Sequence, residues 1–230
     1  MRILLIGYGR MGRLVGELAS QYGCEVAGAV DPLSPSHSGP IDDARSVGVD
    51  VAIDFSTADA VAANVPALAE RGINVVLGTT GWEPHEAALR AAVERAGTGI
   101  VAAPNFSPGV VLFESLVVHA AALFAGQNDF GAYLHEAHHA AKKDAPSGTA
   151  LRLARAMAKA GYARPIDVSS TRAGHIPGTH TIGFDGPSES ITLSHAARDR
   201  NAFARGALLA AQWVRGRRGW YTMQDVLGLS

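Results

Sequence analysis

Residues 2–12 read Arg-Ile-Leu-Leu-Ile-Gly-Tyr-Gly-Arg-Met-Gly, and this segment decides the fold of the amino-terminal part of the chain. Its first five residues are mostly apolar and predict a strand, while the pattern over residues 13–22 predicts a helix. Between them lies the motif G-x-G-x-x-G. Gly7 permits a tight turn, Gly9 lets the backbone approach a pyrophosphate, and Gly12 allows the helix to pack closely on the strand.

A second predicted strand, Glu25–Val30, follows this helix and ends at Asp31, nineteen residues after Gly12. An acidic side chain at this position can accept hydrogen bonds from an adenosine ribose. The combined pattern predicts a dinucleotide site of the Rossmann type. Its predicted residues are Gly7, Tyr8, Gly9, Arg10, Met11, Gly12 and Asp31.

The same residues bear on which dinucleotide is used. The carboxylate of Asp31 repels a 2′-phosphate, and Pro32 follows it instead of an Arg or Lys. Arg10 is the one nearby cation in the motif that could still bind a phosphate. We therefore expect NADH or NADPH as cofactor, with NADH favoured by Asp31.

Three further strands are predicted at residues 49–55, 73–77 and 99–103, separated by helices. This alternation with short connections predicts a parallel sheet whose ligands lie at the carboxyl ends of the strands. Two of the turns at those ends carry small and hydroxyl residues suited to the nicotinamide half, although each alone is also typical of an ordinary connection. The predicted cofactor residues there are Gly78, Thr79, Thr80, Ala103, Pro104, Asn105 and Phe106.

The composition excludes several classes of protein. The chain has 230 residues and a net charge of −1, which argues against a general nucleic-acid binder. Its single cysteine, Cys24, cannot form an intramolecular disulfide and fits a reducing compartment. No apolar run approaches the length that crosses a bilayer. We expect a cytoplasmic protein with neither nucleic acid nor membrane as partner.

The pattern changes after an apolar helix predicted at residues 110–125. Residues 129–139 alternate as a strand does, and three shorter strand candidates follow at 168–172, 180–185 and 189–194. They predict a mixed sheet in a second domain, and a last helix at 203–214 is expected to return to the first. The predicted domains are residues 1–104 with 200–230, which bind the dinucleotide, and residues 105–199.

The second domain contains the densest cluster of reactive side chains. Residues 136–150 read Glu-Ala-His-His-Ala-Ala-Lys-Lys-Asp-Ala-Pro-Ser-Gly-Thr-Ala and lead into a helix predicted over 151–160. A helix N-terminus preceded by Lys142 and Lys143 favours a carboxylate or phosphate, and the histidines can move protons. The alternative is a capped helix after a solvated basic loop; the density of His and Lys favours the site.

No metal site is predicted from these histidines. Strand alternation places His135 and His138 on opposite faces, a second cysteine is lacking, and the two lysines would repel a cation. The more distant His175, His180 and His195 are interpreted as surface or strand histidines.

Taken together, the motifs resemble those of the 4-hydroxy-tetrahydrodipicolinate reductase family, over the whole length of the chain. The segments that carry the resemblance are Gly7 to Gly12, Asp54-Phe55-Ser56, Gly78-Thr79-Thr80-Gly81, Pro104-Asn105-Phe106-Ser107, Glu136-Ala137-His138-His139, Lys142, Asp144 and Pro146 to Ala150. Arg172-Ala173-Gly174, Gly178 and His180 match weaker signatures.

The resemblance implies a function and roles for residues. His138 and Lys142 correspond to the catalytic proton-transfer residues. The positions that correspond to substrate binding are His139, Ser147, Gly148 and Thr149. The implied reaction is reduction of a small cyclic imine with two carboxylates, in diaminopimelate and lysine biosynthesis.

The family's fold is a Rossmann-type domain with an inserted mixed-sheet α+β domain that binds substrate and builds a homotetramer. Two alternatives remain: another NAD(P)-dependent oxidoreductase of an imine or keto acid, and a non-catalytic nicotinamide-binding sensor. The presence of both His138 and Lys142 argues against the sensor.

Overall fold

The structure is a computed structural model that describes residues 1–229, apart from the side chains of residues 43 and 44. The chain divides into two compact units, one formed by Met1–Pro108 with the segment from Asn201 onward, the other by Gly109–Arg200. These divisions fall close to the predicted boundaries at 104/105 and 199/200.

The first unit is built on a six-stranded sheet in which every strand pair is parallel. Its strands are β1 (Arg2–Ile6), β2 (Glu25–Val30), β3 (Val51–Asp54), β4 (Asn74–Leu77), β5 (Gly99–Ala102) and β10 (Gly219–Tyr221), in the order β10-β5-β4-β3-β1-β2. Strand β2 is therefore added on one side of β1 and strands β3 to β5 on the other. In such sheets ligands bind at the point between β1 and β3 where this order reverses.

The first unit also contains α-helices and 3₁₀ turns. They are α1 (Arg10–Leu18), α2 (Asp43–Ser46), α3 (Ala58–Glu70), α4 (Glu86–Ala96), α7 (Asn201–Val214) and α8 (Met223–Val226), with 3₁₀ turns at Ala19–Tyr22 and Glu83–His85. Strands β3, β4 and β5 are buried along their whole length, as expected for parallel strands covered on both faces. The predicted Rossmann-type sheet is confirmed.

The second unit contains a mixed four-stranded sheet, as predicted. Its strands are β6 (Gly131–His138), β7 (Ile166–Arg172), β8 (Thr179–Asp185) and β9 (Ser190–Ala196), in the order β7-β6-β8-β9. The pair β6–β7 is parallel, and the pairs β6–β8 and β8–β9 are antiparallel.

Two helices pack against one face of this mixed sheet: α5 (Pro108–Phe124) and α6 (Gly148–Lys159). The shared core contains Phe113, Val117, Leu134, Leu153, Met157, Ile182 and Phe184. Because side chains alternate along a strand, Glu136 and His138 lie on the same face as Leu134. The core thus ends in two polar residues at the carboxyl end of β6.

Several predicted boundaries were wrong. Helix α1 begins at Arg10, inside the glycine motif, because Gly9 is the last extended residue and its carbonyl accepts the amide of Arg13. Helix α6 begins at Gly148, three residues before the periodic pattern at 151, and Ser147, whose residue type predicts a cap, does cap it. Residues 32–45 are rich in Pro, Ser and Gly, which predicts a loop, but they contain the start of α2. In the described part of the chain, no helix has the length and apolar character needed to span a membrane.

Candidate active site

Glu136 is the first residue of the predicted catalytic segment 136–150, and its side chain is fully buried. Arg172, which lies beside His138 in the register of β6 and β7, donates from Nη2 to Oε1 at 2.7 Å and from Nη1 to Oε2 at 3.0 Å. The backbone amide of Ser147 donates to Oε1 at 3.2 Å. Nδ1 of His138 lies 2.5 Å from Oε2. One carboxylate therefore joins two strands and the start of α6.

These contacts decide the charge of Glu136. Burial by itself raises the pKa of the carboxyl group, but hydrogen bonds from Arg172, Ser170 and His138 lower the pKa to about 2. The group is thus a carboxylate at neutral pH, and its charge is balanced by the guanidinium of Arg172.

His138 stands between this carboxylate and open space. Burial lowers its pKa below 6.5, the carboxylate of Glu136 acts in the opposite direction, and the charges of Lys142 and Arg172 lower it further. A side chain at position 178 would place its Cβ 3.0 Å from Nε2 of His138. Gly178, which has φ of +146°, therefore leaves the space beside Nε2 open.

His180 approaches His138 from the neighbouring strand. It pairs with Glu136 in the register of β6 and β8, and its ring lies edge-on to that of His138 with centroids 5.2 Å apart. Burial and the neighbouring His138 lower its pKa to about 4. Nε2 of His180 lies 3.0 Å from Oγ of Ser147. His180 is therefore neutral at pH 7 and adds no charge beside His138.

The loop after β6 carries the second predicted proton-transfer residue. The ammonium of Lys142 lies 2.7 Å from Oδ1 of Asp144. Hydrogen bonds from Lys142 and from the backbone amide of Gly148 lower the pKa of Asp144, against a smaller opposing effect of burial. An exposed carboxylate of the chain thus contacts two groups that were predicted to hold a substrate carboxylate.

The other predicted substrate residues surround the same helix end. Ser147 uses its side-chain oxygen to cap α6 by accepting the amide of Ala150 at 3.2 Å. Gly148 is exposed, and a Cβ built on it meets no atom within 4 Å. Thr149 follows it in the first turn, and His139 lies directly after β6. An approaching anion would therefore meet no side chain at Gly148, although it would have to replace Asp144 as the acceptor of the Gly148 amide.

The predicted dinucleotide site lies in the first unit and has the close approaches that its glycines predict. Gly7 has φ of +84°, and a Cβ there would lie 2.6 Å from the carbonyl oxygen of Phe55. A Cβ on Gly12 would collide with the carbonyl of Gly7. Gly9, in contrast, has no neighbour within 4 Å of its Cβ position, and no side chain caps the first turn of α1, which contains Arg10 and Met11. These features fit a pyrophosphate at the helix N-terminus.

Asp31 lies at the end of β2, as predicted, and touches the glycine motif. Oδ2 accepts the amide of Tyr8 at 2.8 Å, and Oδ1 accepts the amide of Leu33 at 2.9 Å. Each carboxylate oxygen keeps a further lone pair for a ribose hydroxyl. The ring of Tyr8 contacts His37, with centroids 4.4 Å apart, and the guanidinium of Arg13 lies 5.8 Å from it. Arg10 is thus not the only cation beside the motif.

The turns after β4 and β5 are held by Phe55 and the buried Asp54. Thr79 donates from its hydroxyl to Asp54 at 3.0 Å, and the ring of Phe55 packs against Gly78 and, at 6.2 Å between centroids, against Phe106. Burial raises the pKa of Asp54, which hydrogen bonds from Ser56, Asn64 and Thr79 oppose. Of the remaining predicted cofactor residues, Thr80 and Pro104 are exposed, Ala103 is buried, and Asn105 accepts the amide of Ser107.

Glu136, Arg172 and His180 were not assigned roles in the sequence analysis. Strand alternation already placed Glu136 on the face of His138, but the other two residues reach the site through strand register. Ligand atoms of Glu136, His138 and His180 lie within 4.8 Å of one another, a grouping of the kind that can hold a metal. Arg172 binds both oxygens of Glu136, so a cation would meet positive charge there. The absence of a metal stays a prediction.

Comparisons with known proteins give a consistent result. Residues 1–106 match the family model described as dihydrodipicolinate reductase, N-terminus, and residues 109–227 match the corresponding C-terminus model. The 4-hydroxy-tetrahydrodipicolinate reductase of Christiangramia forsetii is 33% identical over 99% of this chain and 98% of its own length. That of Methanosarcina barkeri is 41% identical over 78% of this chain and 73% of its own.

The fold agrees with a solved structure as well. The dipicolinate-bound dihydrodipicolinate reductase from Paenisporosarcina sp. TG-14 superposes with a TM-score of 0.83 at 23% identity and covers 98% of both chains. At this identity the superposition supports only the fold. Membership of the family is shown by the family models and the sequence relatives. The chain belongs to the dihydrodipicolinate reductase family.

Proposed function

We propose that the chain reduces 4-hydroxy-tetrahydrodipicolinate to tetrahydrodipicolinate, with His138 and Lys142 as the proton-transfer residues. Its family is one of pyridine-nucleotide-dependent reductases in diaminopimelate and lysine biosynthesis, and curated relatives carry that name. The observation that carries the residue roles is the arrangement around His138. A buried carboxylate holds Nδ1, and Nε2 faces the space that Gly178 leaves open.

The chemistry requires two contributions from the chain besides the cofactor. A bound nicotinamide supplies the hydride. Loss of the 4-hydroxyl group as water gives the conjugated ring. Hydride reduction of that ring leaves negative charge that a proton donor must quench, and both His138 and Lys142 donate a proton when cationic. The amides of Gly148 and Thr149 and the charge of Lys142 would hold a carboxylate of the substrate.

A small dicarboxylate substrate fits this site. The Paenisporosarcina enzyme is described with dipicolinate bound, and dipicolinate carries two carboxylates on one ring. In this chain Lys142 and the amide of Gly148 both donate to the carboxylate of Asp144, which supports a carboxylate-binding role for the pair. We propose that a substrate carboxylate takes this place, together with His139, Ser147 and Thr149.

The cofactor is NADH or NADPH, and we propose that NADH is used at least as well as NADPH. Both oxygens of Asp31 are held by backbone amides at the end of β2, so its negative charge stays beside the glycine motif. That charge opposes a 2′-phosphate. Arg10 and Arg13 are the nearby cations that could reverse the balance.

We also propose that the chain forms a homotetramer through the open face of the mixed sheet. Tyr133, Asp167, Ser169, Thr192 and Ser194 lie on this face, opposite the helices, and all are exposed. Light scattering should give a mass near four chains, and Tyr133→Asp should reduce it. A native monomer would contradict this proposal. The cytoplasmic location stays a prediction.

The test of function is an assay with freshly made 4-hydroxy-tetrahydrodipicolinate, run in parallel with NADH and NADPH. Oxidation of the cofactor that depends on this substrate supports the proposal. A panel of other cyclic imines and keto acids separates it from the alternative of a different NAD(P)-dependent oxidoreductase. Cofactor binding without turnover of any substrate would favour a nicotinamide-binding sensor.

A further inference from the structure

Glu136 is surrounded by hydrogen-bond donors. Oε1 receives Nη2 of Arg172 and the amide of Ser147, and Oε2 receives Nη1 of Arg172. A hydrogen bond from Ser170 also reaches the carboxylate, and Nδ1 of His138 contacts Oε2. An ionised carboxylate only accepts hydrogen bonds. Nδ1 of His138 must therefore carry the hydrogen in this contact.

This arrangement assigns the two nitrogens of His138 to different tasks. We propose that Glu136 is a positioning residue that keeps His138 as the Nδ1–H tautomer with Nε2 facing the substrate, and that Arg172 holds Glu136 as the acceptor. The inference rests on the proposed function only for its effect on turnover. The state of the histidine itself can be measured without substrate.

Geometry supports the assignment on the side of Nε2. The space beside this nitrogen is bordered by Gly178, where any Cβ would come within 3.0 Å of Nε2. A residue larger than glycine would therefore crowd Nε2 itself. Gly178 thus acts together with Glu136: Glu136 contacts Nδ1 of His138, and the absence of a side chain at position 178 leaves Nε2 accessible.

The charged and titratable groups around His138 come from every neighbouring element. Glu136 on β6 stabilises the imidazolium, whereas Arg172 on β7 and Lys142 in the following loop oppose it. His180 on β8 is neutral above a pKa of about 4. Removing the carboxylate charge therefore leaves two cations and burial, all of which disfavour a protonated His138.

The native protein provides the first test. Nitrogen NMR of histidine-labelled protein, compared with His138→Gln to identify the signal, reports the tautomer of His138 above its titration. We expect hydrogen on Nδ1. Hydrogen on Nε2 in the native protein would overturn the proposal, even if the reductase assay succeeds. This measurement does not depend on whether any variant folds.

Glu136→Gln provides the second test. Its amide oxygen remains the acceptor for Arg172, so its amide NH₂ faces Nδ1 and should move the hydrogen of His138 to Nε2. We expect kcat to fall on the order of ten- to a hundredfold, the effect of losing an outer group that orients a histidine. The KM for the dinucleotide should stay unchanged, and the pKa of His138 should move to lower pH.

Glu114→Gln is the matched control. Glu114 is another carboxylate of the second unit; it is partly buried and paired with Arg152 at 3.0 Å, and no contact with His138 is found for it in the described part of the chain. It should keep the native tautomer and turnover. A Glu136→Gln protein that folds, as judged by circular dichroism, and retains the turnover and pH profile of this control would refute the positioning role. If Glu136 had only a structural role, Glu136→Gln, like Glu114→Gln, would change the free energy of unfolding without changing the tautomer of His138.

Discussion

His138 and Lys142 lie on different elements, a strand end and the loop after it, yet each has one acidic neighbour. We expect His138→Ala and Lys142→Ala to lower kcat roughly a hundredfold or more, the scale of a lost general acid. Dinucleotide affinity should hardly change, since both residues belong to the second unit and the glycine motif to the first. Steady-state kinetics and cofactor titration measure the two effects.

The adjacent Lys143 offers a control for this pair of variants, because it is exposed and carries the same charge. Lys143→Ala should retain most of the turnover. If His138→Ala or Lys142→Ala also kept near-native turnover, the role proposed for that residue would be wrong.

Asp31 is the single residue on which the expected preference for NADH over NADPH depends. Asp31→Ser should raise the ratio of kcat/KM for NADPH to that for NADH by about tenfold, or about 1.4 kcal/mol, because it removes the charge that opposes a 2′-phosphate. Arg10→Ala should reduce kcat/KM for NADPH more than for NADH, since its guanidinium can bind a phosphate.

Asp31→Asn separates charge from structure in this experiment, because the side chain also accepts the amides of Tyr8 and Leu33. The amide keeps one acceptor oxygen and loses the charge, so it should shift the preference in the same direction as serine. A strong preference of the native protein for NADPH that survives Arg10→Ala would contradict this account.

At the scale of elements, the pairing of β6 with β8 makes stability depend on pH. The pKa of His180 falls from 6.5 to about 4 on folding, so the unfolded chain binds more protons between these values and stability is lost as the pH drops through them. The full difference corresponds to on the order of 3 kcal/mol. The pKa of Glu136 falls from 4.5 to about 2 on folding, so a second loss of stability follows as the pH drops between these two values.

Urea unfolding measured from neutral to acidic pH tests this dependence. The native protein should lose free energy of unfolding between pH 6.5 and about 4. His180→Gln should flatten this part of the curve, whereas substitution of the exposed His175 should leave it unchanged. Equal slopes for native protein and His180→Gln would show that His180 is not the group responsible.

The same elements show how far the sequence predicts the site. Periodicity predicted the strands of both sheets apart from β10, and it placed Glu136 on the face of His138, because alternation is a local property. Arg172 and His180 lie 36 and 44 positions from Glu136 along the chain, and only the register of β7 and β8 brings them together. Register depends on contacts that a single sequence does not display.

Short elements escaped prediction for a related reason. Strand β10 has three residues and pairs with β5, and its Trp220 contacts Trp82, with ring centroids 5.6 Å apart. Three residues carry too little periodicity to be recognised, so β10 depends on an existing sheet edge. The start of α1 was misplaced because Arg10 and Met11 read as part of the glycine motif. The motif in fact continues into the helix, which is what gives a phosphate access to its first turn.

At the scale of the whole molecule, the proposed dinucleotide residues and the proposed proton-transfer residues belong to different units. The glycine motif and the turns after β4 and β5 lie in the first unit, whereas His138, Lys142 and the start of α6 lie in the second. Hydride transfer requires donor and acceptor to be in near contact. We therefore expect dinucleotide and dipicolinate, when both are bound, to lie in near contact with each other.

A crystal structure of that ternary complex tests the prediction directly. The amide of Gly148 should bind a dipicolinate carboxylate, and the nicotinamide ring should lie against the other side of the same ligand. A ternary complex in which the Gly148 amide stays more than about 15 Å from the nicotinamide would exclude direct transfer at this site, and the substrate-binding role of the α6 N-terminus would have to be abandoned.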